Sequence, residues 1–205
     1  MNKEEVQLYL INNLKFSNDD VEKLSLFHEE LIKFNNKYNL ISKSTELDIW
    51  NRHILDSAQL VKFIRFEKKK SLCDLGSGAG FPGVILSIFN KNNEFHVKLY
   101  EKSSIKRDFL EIIKEKLNLS YNVLGDYKLH IISSDYVVSR AFKKLEEVIR
   151  ISREMIADNH KLIVLKGKNA ESEINKLQQP LTFRYNVERS VTDPESKILI
   201  FDVKK

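Results

Sequence analysis

Apolar residues recur at helical spacing through the first third of the chain. The spacing predicts three helices: one from Glu4 to Leu14, one that starts after Ser17 and runs to about Tyr38, and one from about Thr45 to Ile64. On the first helix, Leu8, Ile11 and Leu14 are expected to lie near one face, the buried one. Ser17 is a favoured N-cap residue, so the second helix is expected to begin directly after it. No glycine or proline precedes Gly76, so this helical part, residues 1–66, is expected to pack as a cap on the residues that follow.

After residue 70 the pattern changes to short apolar runs that alternate with helical stretches. Strands are predicted at Ser71–Leu75, His96–Tyr100, about Asn122–Val123, Tyr136–Ser139, Lys161–Lys166, Thr182–Val187 and Ile198–Val203. Helices are predicted at Pro82–Phe89, Ser104–Leu117 and Lys144–Met155. The alternation indicates an α/β fold with a mostly parallel sheet that is covered on both faces.

The last two predicted strands are joined by too few residues for a helix, so they are expected to pair antiparallel. Residues 67–205 are therefore expected to form a mostly parallel seven-stranded sheet with a C-terminal antiparallel hairpin. This Rossmann-like layout is typical of class I adenosylmethionine-dependent methyltransferases.

Composition and charge narrow the class of protein. The chain has 205 residues, with 34 Lys and Arg against 29 Asp and Glu and a formal net charge of +5. Its hydrophobic content of 42% is too high for a disordered chain. No run of about eighteen apolar residues predicts a membrane span, and no basic-then-apolar order at the N-terminus predicts a secretory signal. The single cysteine, Cys73, fits a reducing compartment, and a cytoplasmic monomer is expected.

The segment from Asp74 to Gly83 is rich in glycine and links a predicted strand to a predicted helix. Glycines let the backbone turn sharply and approach a ligand closely. Two interpretations compete. Residues 78–83 match G-x-G-x-x-G, the fingerprint of dinucleotide-binding proteins. Asp74 and the earlier Gly76 instead complete Asp-x-Gly-x-Gly-x-Gly, the pattern typical of S-adenosylmethionine sites, in which a carboxylate favours the ammonium group of the cofactor.

Glu101 is the acidic residue that either kind of nucleotide site requires. It lies about twenty residues after the glycine turn, directly behind the predicted strand His96–Tyr100. A carboxylate has two acceptor oxygens, which match the two vicinal hydroxyls of a ribose. We therefore expect Glu101 to bind the ribose of a cofactor. An ordinary solvated residue at a strand end is the alternative.

With these residues in place, the chain resembles the glucose-inhibited-division B (GidB) family, the RsmG-type methyltransferases of small-subunit ribosomal RNA. The resemblance covers residues 34–168. Its matching segments are Phe34-Asn35, Tyr38-Asn39-Leu40, His53-Ile54-Leu55-Asp56-Ser57, the glycine turn, Lys106-Arg107, Phe109-Leu110, Ser139-Arg140-Ala141-Phe142 and Leu165-Lys166-Gly167. Many methyltransferases share the glycine turn, whereas its combination with His-x-x-Asp-Ser and Ser-Arg-Ala is far more specific.

The resemblance implies transfer of a methyl group from S-adenosylmethionine to N7 of one guanine in 16S ribosomal RNA, with S-adenosylhomocysteine as product. The implied partner is this RNA or the small ribosomal subunit. The cofactor-binding residues assigned from the motif and the resemblance together are Asp74, Gly76, Ser77, Gly78, Gly80, Phe81, Glu101, Asp126, Tyr127 and Arg140. The family usually has an Arg-x-Glu-like stretch beside the adenine. Residues 124–134 lack it, and Asp126 or Tyr127 is the candidate to replace it.

Methylation of guanine N7 does not require a side chain that removes a proton. N7 carries an in-plane lone pair and no proton at neutral pH, so its attack on a sulfonium methyl group needs no general base. Alignment and local electrostatics can then carry catalysis. No residue is assigned a catalytic role outright, and the candidates are Arg140, His53 and Lys166.

Arg140 and the pair of His53 and Asp56 each have more than one interpretation. Arg140 ends a predicted strand, at the edge where sheets of this type bind ligands. It is expected to contact the cofactor carboxylate, guanine O6 or an RNA phosphate, and a surface ion pair with Glu146 or Glu147 is the alternative. His53 and Asp56 share one helical face. They are expected either to dock the helical cap on the glycine turn or to contact substrate or cofactor.

Basic residues near strand ends are the candidates for RNA phosphates. They are Lys102, Lys106, Arg107, Arg140, Lys143 and Lys166. The five histidines lack the spacing of metal ligands, so no metal site is expected. Cys73 lies inside a predicted strand and is expected to pack in the core.

Three other functions stay open on the sequence. A small-molecule methyltransferase could use the same cap to enclose a metabolite. A nicotinamide-dependent oxidoreductase could use the same glycines. A noncatalytic RNA-binding protein could have kept the fold.

Overall fold

A seven-stranded sheet forms the centre of the computed structural model, which describes residues 1–177 and 184–205. Its strands are β1 (Ser71–Leu75), β2 (His96–Tyr100), β3 (Tyr121–Leu124), β4 (Tyr136–Arg140), β5 (His160–Lys166), β6 (Tyr185–Arg189) and β7 (Lys197–Val203). Their order is β3-β2-β1-β4-β5-β7-β6. The first five strands are parallel, and β7 pairs antiparallel with β5 and β6. The predicted fold class is confirmed.

The order of the strands fixes where a ligand can bind. The chain leaves β1 toward β2 on one side and later returns to place β4 on the other side. The carboxyl ends of β1 and β4 therefore diverge at a topological switch point, where open α/β sheets bind ligands. The glycine turn follows β1, and Arg140 is the last residue of β4.

The predicted strands Ser71–Leu75 and His96–Tyr100 are confirmed residue for residue. Of the predicted strand Thr182–Val187, the first two residues lie outside the described part of the chain. The described strand there is Tyr185–Arg189.

The N-terminal helices are α1 (Lys3–Leu14), α2 (Asn18–Tyr38), α3 (Lys43–Glu46) and α4 (Asp56–Ala58). Ser17 caps α2 as predicted and forms a capping box with Asp20. The prediction for the buried face of α1 was wrong at Leu8, which is 60% exposed, while Val6 and Leu10 are buried with Leu14. Leu8 lies about 200° around the helix from Leu10, so it faces solvent.

The third predicted helix is not one regular α-helix. A π-helical turn, Trp50–Leu55, precedes α4, and a 3₁₀ turn, Gln59–Phe63, follows it. The N–H of Asp56 donates to Asn51 O, five residues back, as in a π-turn. Such turns frequently occur at functional sites. Here the turn carries His53.

The remaining helices are α5 (Gly83–Phe89), α6 (Ser104–Lys116), α7 (Leu145–Met155) and α8 (Ala170–Asn175). The first three match predicted helices with small differences at their ends, and α8 was not predicted. No helix in residues 1–177 and 184–205 is both long and apolar enough to cross a membrane.

One hydrophobic cluster joins the helical cap to the sheet. Phe27 of α2 is fully buried, and its ring packs edge-on against Phe81 of the glycine turn, with centroids 5.3 Å apart. The same ring lies 6.2 Å from Phe109 of α6. The division of the chain at residue 66 stays a prediction, but the packing shows that the two parts share a core.

Candidate functional site

A cavity of about 480 Å³ opens at the carboxyl ends of β1, β2 and β4. From the glycine turn it is lined by Gly76, Ser77, Gly78, Ala79 and Phe81. Glu101 and Lys102 contribute from the end of β2, and residues 125–128 close the far side. Residues 40–42 and Thr45 of the cap form its outer rim.

The glycine turn is fixed against β2 by its own backbone. The N–H groups of Gly76 and Ser77 both donate to Tyr100 O, at 2.9 and 3.1 Å. Gly76 has φ of +76°, and a Cβ built there would lie 2.3 Å from Cδ2 of Phe142. Gly78 also has positive φ, +57°, and only Gly76 O, at 3.8 Å, would come near its Cβ. Because Gly78 also lines the cavity, its open surroundings leave room for close approach of a ligand.

Asp74 lies behind the turn, not in the cavity wall. Its side chain is completely buried, and Oδ2 accepts a hydrogen bond from Gly83 N at 2.9 Å. Oδ1 has no partner among the described residues. Burial raises the pKa of Asp74 to about 7. Asp74 therefore holds the start of α5 in place, and its direct contact with a cofactor stays a prediction.

Gly80 also lies away from the cavity. A Cβ there would lie 2.6 Å from Cγ2 of Val84 and 3.3 Å from Cδ2 of Leu110. Gly80 thus permits close packing of the turn against α5 and α6.

Glu101 braces the turn from the end of β2. Its Oε2 accepts from Gly78 N at 2.9 Å, and its Oε1 accepts from Ser103 N at 2.8 Å. The residue is 8% exposed and lines the cavity. Each carboxylate oxygen keeps a second lone pair, so both can accept another hydrogen bond from a ligand.

Asp126 and Tyr127 both border the cavity opposite the glycine turn. Asp126 Oδ1 accepts from Lys128 N at 3.0 Å and caps a 3₁₀ turn, Tyr127–Leu129. The Tyr127 ring packs edge-on against Phe142, with centroids 5.5 Å apart. Both residues therefore lie in the cavity wall, and the contact of either one with the adenine stays a prediction.

His53, Phe81 and Arg140 form a stacked group at the inner end of the cavity. The ring of His53 stacks on Phe81 with centroids 5.0 Å apart, and Cζ of Arg140 lies 5.0 Å from the centroid of the same ring. Nη2 of Arg140 lies 2.6 Å from Nδ1 of His53. A guanidinium only donates, so Nδ1 accepts and the neutral ring carries its proton on Nε2. Burial, and then the charge of Arg140, lowers the pKa of His53 to about 3.

A second cavity of about 520 Å³ lies on the other side of this group. Four residues line both cavities, namely Thr45, His53, Arg140 and Ala141. The second cavity also has acidic and basic walls, formed by Asp48, Arg52, Asp56, Lys166, Lys168, Glu173 and Asp193. The junction of the two cavities is therefore the place where two bound molecules could meet.

Comparison with known proteins shows to which family the chain belongs. The GidB family model, described as rRNA small subunit methyltransferase G, matches residues 20–199. The chain belongs to this family.

Relatives from other organisms agree over nearly the whole length. Ribosomal RNA small subunit methyltransferase G from Zymomonas mobilis is 36% identical, over 98% of this chain and 93% of its own. The protein of the same name from Rickettsia bellii is 36% identical, over 90% of this chain and 95% of its own. The resemblance predicted from the sequence is confirmed.

Solved structures show the same fold at low identity. Cofactor-bound Rv0187 from MTB superposes with a TM-score of 0.67 at 9% identity, and the match covers 100% of this chain and 99% of that one. Aeropyrum pernix fibrillarin, a structure with natively bound S-adenosyl-L-methionine, gives 0.51 at 14% identity, over 67% of this chain and 68% of its own. At these low identities, the two structures show a shared fold and nothing more specific.

In this methyltransferase, Arg140 pairs with Asp56 and not with the glutamates that the sequence offered as alternative partners. Nη1 of Arg140 lies 3.7 Å from Oδ2 of Asp56. Among the described residues no ion pair joins Arg140 to Glu146 or Glu147, and Glu147 pairs with Lys143 at 3.1 Å. The predicted docking role of His53 and Asp56 matches the geometry, since one stacks on the glycine turn and the other pairs with Arg140.

The basic residues predicted to bind RNA fall into two groups. Lys102, Lys106 and Lys143 line the first cavity. Lys166 lines the second cavity, but its ammonium donates to Lys143 O at 2.6 Å and to Glu173 Oε2 at 2.8 Å. The geometry does not support Lys166 as a free phosphate-binding cation.

Arg107 is also engaged within the protein. Its Nη1 donates to Glu101 O at 3.0 Å and to Lys102 O at 2.7 Å. Arg107 therefore holds the chain at the end of β2 through Nη1, and its contact with an RNA phosphate stays a prediction.

The sequence analysis missed most of the second cavity. Thr192, Asp193 and Ser196 reach it from the turn between β6 and β7, far along the chain from His53. No local pattern could have shown this, because antiparallel pairing of β7 with β5 brings that turn to the site. Among residues 1–177 and 184–205, no group of His, Cys, Asp and Glu is arranged to hold a metal ion. Cys73 is fully buried, as predicted, and burial raises the pKa of its thiol to about 12.

Proposed function

We propose that this protein transfers a methyl group from S-adenosylmethionine to N7 of a guanine in 16S, small-subunit ribosomal RNA. The observation that carries the proposal is the junction of the two cavities at His53 and Arg140. One cavity has the features of a nucleoside cofactor site. The other has room and hydrogen-bonding groups for a base.

The first cavity fits the cofactor. Its volume of about 480 Å³ lies within the usual range for small-molecule sites. Glu101 faces it with a lone pair free on each oxygen for the two ribose hydroxyls, and Gly78 leaves the backbone open to close approach. Bound S-adenosylmethionine supplies an electrophilic methyl group on a sulfonium sulfur. Fibrillarin, which shares the fold, holds this cofactor.

The second cavity fits guanine. The base presents N–H donors on its Watson–Crick edge, and the carboxylates of Asp48 and Asp193 in the cavity wall can accept from them. Guanine also presents O6 and N7 as acceptors on the opposite edge. Arg140 lies where the cavities meet and can donate to O6, which leaves N7 free to face the methyl group.

The side chains at the junction suit a nucleophile that needs no deprotonation. His53 has a pKa lowered to about 3, and its Nδ1 is taken by Arg140. It is therefore a poor general base at neutral pH. An exocyclic amine or a hydroxyl would need such a base, whereas N7 does not. Alignment of the two ligands and the charge of Arg140 then carry catalysis.

Exposed lysines around the first cavity can meet RNA phosphates. Lys102 is exposed, and Lys106 is half-buried. Lys143 is exposed and pairs with Glu147 at 3.1 Å, but such a surface ion pair is weak, unlike the more buried ion pair of Lys166. Such contacts make binding depend on salt concentration. RNA binding is therefore expected to weaken as salt rises, without dependence on sequence.

Mass spectrometry of small-subunit RNA tests the proposal. RNA from a deletion strain is expected to lack one 7-methylguanosine, which returns with the wild-type gene and not with Arg140→Ala. Unchanged 7-methylguanosine in the deletion strain would overturn the RNA substrate and point to a small-molecule methyltransferase.

Calorimetry with purified protein separates the other functions. We expect adenosylhomocysteine to bind and NADH not to bind. Binding of NADH alone would favour the oxidoreductase. Modification restored in full by an Arg140→Ala protein that folds and binds cofactor would mean that Arg140 takes no part in transfer.

A further inference from the structure

A buried polar network joins the turn between β6 and β7 to the helical cap. Gln59 is 1% exposed and lies at its centre. Its Nε2 donates to Ser190 Oγ at 2.9 Å, and its Oε1 accepts from Val191 N at 3.0 Å. A buried amide with partners on both its nitrogen and its oxygen is held in one orientation.

The network ends on one oxygen of Asp56. Oδ1 accepts from Gln59 Nε2 at 2.9 Å, and the hydroxyls of Ser190 and Thr192 each lie 3.2 Å from it and can donate to it. The two hydroxyls also lie 2.8 Å from each other. The other oxygen, Oδ2, lies 3.7 Å from Nη1 of Arg140. The two oxygens therefore have separate tasks, because three donors fix the first and the second is left for the guanidinium.

Besides this ion pair, Arg140 packs on the ring of Phe81, with Cζ 5.0 Å from the centroid, and makes two hydrogen bonds. Nη1 donates to Arg52 O at 3.0 Å, and Nη2 donates to His53 Nδ1. Its Nε has no partner among the described residues. These contacts leave the carboxylate of Asp56 as the group that pairs with the guanidinium charge, so the direction of Oδ2 adds to them in setting where the guanidinium lies between the two cavities.

We propose that Gln59, Ser190 and Thr192 are positioning residues that act on Arg140 through Asp56. Their catalytic consequence rests on the function proposed above. Thr192 also lines the second cavity, beside Asp193 and Ser196. The turn that forms a wall of this cavity thus also orients the arginine at its inner end.

Thr192 offers the cleanest substitution, because the turn does not depend on its hydroxyl for its backbone structure. Ser190 N donates to Ser196 O, and Ser196 N donates to Asp193 O, both at 3.1 Å. Thr192 N donates to Ser190 Oγ at 3.2 Å. Thr192→Val keeps these bonds and the shape of the side chain, while it removes the hydroxyl that contacts both Asp56 Oδ1 and Ser190 Oγ. Thr192→Ser keeps the donor and is the matched control.

The first measurement is ¹⁵N NMR of the His53 ring, which reads the contact between Nδ1 and Arg140 without any ligand. We expect Thr192→Val to shift the Nδ1 resonance and Thr192→Ser to leave it near the wild-type position. An unchanged resonance in Thr192→Val would overturn the proposal. Because this measurement needs no methyl transfer, it decides the proposal even if the wild-type protein transfers nothing, a result that would overturn the proposed function instead.

The second measurement is methyl transfer to small ribosomal subunits. We expect Thr192→Val to lower kcat roughly three- to tenfold, with less than about a twofold change in the KM for S-adenosylmethionine, and Thr192→Ser to restore kcat. Combination with Arg140→Lys is expected to cost little more than Arg140→Lys alone, because residues that act through one another are not additive. The proposal would be overturned if the double variant lost kcat by the product of the two single losses. It would also be overturned if Thr192→Ser lost as much kcat as Thr192→Val.

Discussion

At the scale of single residues, Glu101 has a structural task and is proposed to bind the ribose as well. Its carboxylate accepts from Gly78 N and Ser103 N and so connects the glycine turn to the end of β2. The same oxygens face the first cavity. Loss of the charge is therefore expected to disturb the turn and remove the acceptors for a ribose.

Glu101→Gln is expected to weaken binding of adenosylhomocysteine by about 1.5–3 kcal/mol, roughly ten- to a hundredfold, the value of hydrogen bonds to a charged group. The amide nitrogen must also face one of the two backbone N–H groups, which cannot accept its hydrogen. Isothermal titration calorimetry measures the change. Glu111→Gln, at an exposed position of α6, is the matched control and should bind as the wild type does. Equal affinity in both variants would contradict the ribose assignment.

His53 makes the stability of the protein depend on pH. Its pKa is about 3 in the folded protein, below the value of about 6.5 expected in the unfolded chain. As pH falls below about 6.5 the unfolded chain gains a proton that the folded protein does not, so stability declines toward acid. This difference in pKa is expected to lower the free energy of unfolding by about 2 kcal/mol from pH 7 to pH 5.

Urea denaturation of the wild type and His53→Gln at the two pH values tests this dependence. The wild type is expected to lose about 2 kcal/mol more of its free energy of unfolding than the variant over that interval. Glutamine keeps an acceptor for Arg140 and has no proton to gain. Identical losses in the two proteins would show that His53 is not held neutral.

At the scale of elements, the approach of α5 to the sheet depends on Gly83. A Cβ there would lie 2.2 Å from Cδ2 of Leu99 and 2.7 Å from Oδ2 of Asp74. The helix therefore begins where its backbone lies directly against β1 and β2. Asp74 uses the same closeness to accept from Gly83 N.

Gly83→Ala is expected to lower the free energy of unfolding by about 1–3 kcal/mol, because overpacking forces the helix away from the strands. Gly125→Ala provides the control, since nothing lies within 4 Å of a Cβ at that position. Its effect should stay within about 0.5 kcal/mol. Urea denaturation compares the two, and a Gly83→Ala protein as stable as Gly125→Ala would contradict the close packing.

The elements also show which local structure the sequence could predict. The strands Ser71–Leu75 and His96–Tyr100 were predicted residue for residue, because compact apolar runs bounded by charged residues and glycines mark buried strands. The π-helical turn Trp50–Leu55 was predicted as part of an ordinary α-helix. Both helix types present similar apolar spacing over a few residues, and contacts of His53 and Asp56 with distant residues accompany the π-turn.

At the scale of the whole molecule, cap and sheet are expected to unfold together. The cluster that contains Phe27 continues through Phe81 into the sheet. Trp50 is the single tryptophan and lies buried in the cap, so its fluorescence reports on that part alone. Its urea transition is expected to coincide with that of far-ultraviolet circular dichroism, as in two-state unfolding. Separate midpoints would show that the cap unfolds independently.

Phe27→Ala tests the energetic link across this shared core. Loss of a fully buried phenylalanine is expected to cost about 3–5 kcal/mol and to lower both transitions together. Leu47→Ala, at a completely exposed position of the cap, should change stability by less than about 0.5 kcal/mol. A shift of the fluorescence transition alone would place Phe27 in a core that belongs to the cap only.

The sequence by itself determined the α/β class, the order of strands and helices along the chain, and the positions of the glycine turn and Glu101 directly after β1 and β2. These follow from local periodicity and from motifs of fixed spacing. Only the tertiary structure decided that Asp74 lies behind the cavity, that Lys166 is already paired, and that Asp56 connects the turn after β6 to Arg140. Asp74 and Lys166 contact residues that are nearer along the chain, but which atoms they meet depends on how the strands and helices pack. Asp56 contacts Ser190, more than a hundred positions away, and this contact forms only when the pairing of β7 with β5 brings the end of the chain back to the cap.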